Sequence, residues 1–148
     1  MLLVVFFGTL GLSMQDILLE PYGGEILGLS VAATTNLTAI WVAGALGGLF
    51  ISSRSLKRKT GGPIKSIVFA LFVAIGGLCS VIMSDPMNLT SLYYFGSFLI
   101  GLGTGLFAVS TLIIAMTIPI SKGTGRGLVL GSWAVSYTHL TLPTILLV

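Results

Sequence analysis

The chain has 148 residues, 55% of them hydrophobic and only 7% charged, with a net charge of +3 and a mean hydropathy of +1.08. A water-soluble domain carries about a quarter charged residues, so this composition excludes one and defines an integral membrane protein. The apolar runs are long enough for spanning helices and lack the alternation of barrel strands, which makes the fold class all-α. A single cysteine, Cys79, rules out an intramolecular disulfide.

Five spans follow in order. Span A covers about residues 2–20. Met1 leads straight into it without a basic signal-peptide region, which suggests that the chain begins inside a larger protein. Span B, about 26–51, is polar in its first half (Thr34, Thr35, Asn36, Thr38) and small in its second (Ala43, Gly44, Ala45, Gly47, Gly48), a composition suited to packing among other helices. Span C covers about 66–83. Span D, about 92–118, holds Gly96, Gly101, Gly103 and Gly105 and is closed by Pro119. Span E opens at Gly127 and is credible helix to about residue 135. From 136 to 148 the texture changes: hydroxyl and β-branched residues alternate with leucine, and Pro143 falls where mid-helix should be, so this tail is read as foreign sequence, the alternative being a real span kinked at Pro143. Its His139 carries no functional reading.

The charges sort by loop. All seven Lys and Arg lie in the B–C and D–E loops, and all four acids lie around the A–B and C–D turns. Alternate loops face opposite sides of a bilayer, so this is the positive-inside pattern, with spans A, C and E running outward and B and D inward. The B–C loop and its flanks carry Arg54, Lys57, Arg58, Lys59 and Lys65. They serve as a topology determinant or as a surface for anionic lipid headgroups.

The A–B junction, Gln15-Asp16-Ile17-Leu18-Leu19-Glu20-Pro21-Tyr22-Gly23-Gly24-Glu25, holds three of the four acids. Asp16 and Glu20 are four apart and share a face if the helix continues through them; Pro21 and Gly23-Gly24 then turn the chain. At 1.5 Å per residue from Leu2, Asp16 lies about 21 Å into a hydrocarbon core of about 30 Å. A carboxylate there faces protein or a watery cavity and is a functional candidate; the plain alternative is a helix ending at the headgroups. Asp16 and Glu20, with Gln15, Tyr22 and Asn36 nearby, are the substrate, pigment or proton candidates. Glu25 reads as a solvated turn residue. Gly44/Gly48, Gly101/Gly105 and Gly127/Gly131 have GxxxG spacing and mark close helix packing. Gly123-Thr124-Gly125-Arg126 lacks the strand and Lys-Ser/Thr of a phosphate loop. The sequons at Asn36 and Asn88 lie in or against spans. There is no metal-ligand cluster, no nucleophile with a partner base and no cofactor fingerprint, and neither enzyme chemistry nor nucleic-acid binding has support.

Ser13 to Glu25, then Leu27-Gly28-Leu29-Ser30-Val31 and Thr34 to Ala39, resemble the PucC/LhaA family, the bacteriochlorophyll delivery group of major facilitator relatives in phototrophic bacteria; Gly131-Ser132-Trp133-Ala134 resembles a later family segment. The similarity covers about residues 1–135. It implies a major facilitator-type helical bundle, with spans A to E as helices seven to eleven of twelve in a C-terminal-half fragment. It also implies a role in light-harvesting complex assembly, with (bacterio)chlorophyll-type pigment as cargo and antenna polypeptides as partners. The setting would be the cell inner membrane or a photosynthetic intracytoplasmic or thylakoid membrane. The B–C loop would then occupy the position of the facilitator latch, though Arg54 to Gly62 matches it loosely and lacks its acid; Asn36 departs from the basic or small residue expected there. Two other functions remain open: a proton-coupled exporter of a small solute, and a scaffold that docks antenna helices without transport.

Overall fold

A computed structural model describes residues 7, 8, 10–12, 18, 19, 21–28, 30–57, 62–117, 127, 130, 131 and 133–135. Among these there is no strand. Three helices dominate: α1, Val31–Lys57; α2, Pro63–Ser84; and α3, Thr90–Thr117. Each contains a stretch long and apolar enough to cross a bilayer, and they correspond to spans B, C and D. The chain is therefore a multi-pass helical membrane protein.

Local chemistry sets the helix ends. The second span was expected from residue 26, but Tyr22–Ile26 is a π-helical turn closed by the Leu27 N–H on the Tyr22 carbonyl at 3.4 Å. Gly28 at φ 60° then breaks the path before α1 begins at Val31. Helix α2 starts at Pro63, earlier than the expected 66, with Gly62 as its N-cap. Proline suits that first position because its missing N–H would have had no helical partner. At the other end Asn88 adopts φ 51°. Its N–H bonds the Asp85 carbonyl at 3.0 Å, and the Leu89 N–H bonds the Ser84 carbonyl at 3.1 Å. This pair of bonds around a left-handed residue is a Schellman closure, and asparagine is among the few side chains that tolerate it. The Asn88 sequon is thus accounted for as a helix stop.

Helix α3 is the central element, packed against both α1 and α2. Half of its apolar window is buried, against 22% in each of the other two. Against α1 it runs parallel, with glycine meeting backbone from both sides. A Cβ on Gly44 or Gly48 would strike the carbonyls of Phe98 or Leu102, and one on Gly101 or Gly105 would strike those of Trp41 or Ala45. Helix α2 runs antiparallel on another face of α3. There Gly77 and Gly96 abut each other's carbonyls at 2.8 and 2.7 Å for an added Cβ, and Gly103 lies over Ala70 and Ala74. Lipid tails are as apolar as the helices, so association rests on van der Waals contact and hydrogen bonds, and absent side chains let the backbones approach.

Hydroxyls complete the bundle. Ser97, Thr104, Ser110 and Thr111 of α3 each donate to the carbonyl four residues back. Ser110 also bonds Ser66 of α2 at 2.8 Å. From the fifth span, the Trp133 indole N–H donates to Thr111 Oγ1 at 3.4 Å. From the first, Leu12 is buried with Ala70, Ala74, Leu106 and Phe107, and the Phe107 ring occupies the space where Gly8 lacks a side chain.

The outer face of α2 differs in kind. Val68, Phe72, Ile75 and Ile82 are exposed along one side, with Cys79 exposed among them. A helix face this apolar suits acyl chains. Cys79 lies about 7 Å along the helix axis from Ser84. In membranes it should react faster with a bilayer-soluble maleimide than with a membrane-impermeant one, because a thiol facing hydrocarbon is out of reach of a reagent confined to water. Labelling at equal rates would place this face in an aqueous cavity.

Candidate functional site

The acid-rich junction ends in the Tyr22–Ile26 turn, and that turn is gripped by α3. Tyr93, three residues into α3, is wholly buried. Its hydroxyl donates to the Leu19 carbonyl at 2.6 Å across 74 residues of sequence. The Tyr22 ring stacks on Tyr93 with centroids 6.1 Å apart and planes at 26°. The Tyr94 ring is tilted against it, with centroids 5.9 Å apart and planes at 56°. Gly23 is buried against the hydroxyl, and a Cβ there would come within 2.6 Å of the Tyr93 oxygen. Leu19, Leu37, Val81 and Ile100 close around the ring, with Leu27, Trp41 and Leu78 packed outside them. The first span, the turn and all three helices therefore converge on one phenol.

A buried phenol requires an acceptor, because an unpaired hydroxyl in apolar surroundings costs about 1–3 kcal/mol. Backbone carbonyls of α3 are committed to its own ladder. The Leu19 carbonyl lies at the end of the first span, just before the chain passes into the π-helical turn, and it supplies the acceptor the phenol needs.

The sequence-derived residues distribute as follows. Asp16, Glu20 and Gln15 lie outside the described residues. Tyr22 is half-buried in the turn, and Glu25 in the same turn is exposed. Asn36 is exposed on α1, on the same outward side as Thr35 and Ala39. At the opposite end, Arg54 is exposed with its guanidinium 5.6 Å from the Phe50 ring centroid. Lys57 is the last residue of α1, and Lys65 is exposed in the first turn of α2. Arg58 and Lys59 lie outside the described residues. Gly44, Gly48, Gly101 and Gly105 are all buried in the α1–α3 seam. Arg54 and Lys65 thus sit at one end of the bundle, and Glu25 and Asp85, exposed in turns, at the other.

Sequence reading missed Tyr93. It lies in the aromatic run Tyr93-Tyr94-Phe95, which reads as a span start. Only the hydroxyl within an apolar segment hinted at a partner. Gly77, Gly96 and Gly103 were also missed as a seam, since Gly77 has no glycine at GxxxG spacing and Gly96 and Gly103 are seven apart.

A polytopic helical bundle, with an acid-bearing turn clasped at one end and basic residues at the other, is the class that fold and site define. Comparison with known proteins gives its family: the model described as PUCC protein matches residues 1–138. The chain belongs to the PUCC protein family. It is 41% identical over 138 residues to a Rhodobacter capsulatus protein named for its position in the puhA-bchM intergenic region; the match covers 92% of this chain and 28% of that protein. It is 35% identical to Protein PucC of Cereibacter sphaeroides, covering 89% of this chain and 28% of the relative. To Protein PucC of Rhodovulum sulfidophilum it is 37% identical, covering 90% and 29%. The chain thus spans under a third of the length of these relatives. No solved structure matches it.

Proposed function

We propose that this protein is of the PucC type and assists light-harvesting complex assembly, or (bacterio)chlorophyll delivery, in the photosynthetic membrane of a phototroph. The observation that carries the reading is family membership across residues 1–138. The chain forms part of a larger major facilitator-type bundle, a reading supported by its covering 28% of relatives it otherwise matches along 92% of its own length. The end bearing Arg54 and Lys65 is cytoplasmic, and the clasped acidic turn lies at the outer end.

Two surfaces support handling of an amphiphile. The outward side of α1 exposes Thr35, Asn36 and Ala39 within the membrane-crossing stretch, and polar groups at that depth belong against protein or a watery cavity. The outer side of α2 is apolar and faces lipid. A tetrapyrrole has a polar ring edge and an apolar tail, and a groove between such surfaces would accept both. Asp16 or Glu20 would receive the polar edge, or reach a pigment magnesium through water. Antenna polypeptides are the partners, and the protein acts by binding and presenting its cargo.

Deleting the gene should leave antenna polypeptides and pigment biosynthesis in place while the near-infrared band of assembled antenna disappears from the membranes. Restoration by the native gene completes the test. Unchanged antenna absorbance in the deletion strain would end the assembly reading. A pH-dependent efflux of a small solute, lost in the same strain, would replace it with the exporter reading.

A further inference from the structure

We propose that Tyr93 is a positioning residue: its hydroxyl latches Leu19, at the end of the first span, to α3 and, with the stacked Tyr22, holds the Tyr22–Ile26 turn against the helix bundle. This rests on reading the Asp16–Glu25 segment as the working site. Three contacts carry it, each of a different kind. The 2.6 Å bond to the Leu19 carbonyl falls at the short end of the O–H···O range, and it is made in a cluster from which water is excluded. The acceptor belongs to the residue immediately before Glu20 and three after Asp16. The Tyr22 ring, two residues beyond Glu20, stacks on the same phenol. Gly23 completes the grip by leaving open the space the oxygen occupies.

The latch therefore holds the chain on both sides of Glu20 through one side chain of α3. Pro21 offers no N–H to a helical ladder, and the two glycines after Tyr22 leave the backbone permissive. Glu25, on the same turn, faces outward and makes no described ion pair. Positional control of Leu19 and the Tyr22–Ile26 turn thus comes from Tyr93, and through the Leu37, Val81 and Ile100 side chains around it the turn follows movements of all three helices. A rearrangement of α3 would carry the turn, and Glu25 on it, along.

The test uses the native polypeptide in its membrane, in a background otherwise free of cysteine and with Leu19→Cys as reporter, since Leu19 is buried and a maleimide reaches it only when the turn opens. Tyr93→Phe keeps the ring, its stacking and its burial, and removes only the oxygen. The expected result is an about fivefold faster labelling at position 19, the consequence of losing one hydrogen bond, with protein level and melting temperature nearly unchanged. A second measurement guards against a reporter that disturbs the site. Gly23→Ala destabilises the native protein, because its Cβ meets the Tyr93 oxygen at 2.6 Å; with the oxygen gone the nearest remaining atom is the ring carbon at 3.2 Å. Gly23→Ala should therefore cost less in the Tyr93→Phe protein than alone, a positive coupling in the double-mutant cycle. Unchanged labelling together with additive effects overturns the proposal. Antenna assembly separates the two readings: if Asp16→Asn assembles antenna normally, the working-site reading fails, while labelling and coupling still decide the latch.

Discussion

Leucine at Gly101 or Gly105 should separate α1 from α3 and cost the native polypeptide more than any substitution on the outer faces. Each added side chain would begin inside a carbonyl of the facing helix, Trp41 for Gly101 and Ala45 for Gly105. A colliding side chain can rotate away; a helical carbonyl is held by its own ladder and cannot. Overpacking a core costs about 1–3 kcal/mol where neighbours adjust, and here the only adjustment is to move a whole helix, so the upper end or beyond is expected. Gly44 and Gly48 face the reciprocal collision with Phe98 and Leu102, so no slide along the seam relieves one pair without worsening the other. Gly47 and Gly76 are the controls, since a Cβ on either meets nothing within 4 Å. Leucine at Gly76 should be near neutral or slightly stabilising through helix propensity. The measurement is the melting temperature of the purified full polypeptide in detergent. If Gly105→Leu and Gly76→Leu melt alike, the close α1–α3 seam is not a feature of the native bundle.

Neutralising Asp16 should abolish antenna accumulation without lowering the amount of protein in the membrane. A carboxylate at mid-bilayer costs about 2.5–3.5 kcal/mol on insertion scales and less toward the interface where Asp16 is expected, so Asp16→Asn eases insertion by part of that and should leave protein levels equal or higher. If Asp16 gives the cargo a charged hydrogen bond, losing it removes about 1.5–3 kcal/mol, which lowers productive binding roughly tenfold to a hundredfold. Asp16→Glu keeps the charge on a longer arm and should retain part of the function. Near-infrared absorbance of whole membranes, normalised to the protein by immunoblot, reads both variants. Normal absorbance in Asp16→Asn would reduce this residue to a marker of the helix end.

Much of the architecture is a property of local sequence. Composition determines that the chain lives in a bilayer, and run length determines that the described spans are helices, because a buried backbone must satisfy its own hydrogen bonds. Gly62-Pro63 and Gly28 mark helix ends because φ limits and missing donors act within a residue or two. The α1 start was misplaced for a related reason: Ile26 belongs to the apolar run by hydropathy, and the π-helical turn that contains it has no compositional signature. Gly44/Gly48 and Gly101/Gly105 can be singled out from spacing, which is also local.

Pairing is a different matter. Nothing in the spacing of Gly44 and Gly48 says that their seam is α3 rather than α2, nor that α3 alone packs against both neighbours. Those facts depend on how three rods of similar apolarity mesh, and that is decided by shape across more than 50 residues of chain. The Tyr93 latch is the extreme case. A tyrosine in a span start announces a hydroxyl in need of an acceptor if it is buried, but nothing local says which carbonyl will supply it. Only the folded bundle, by bringing Leu19 and Tyr93 to the same end, makes that pairing.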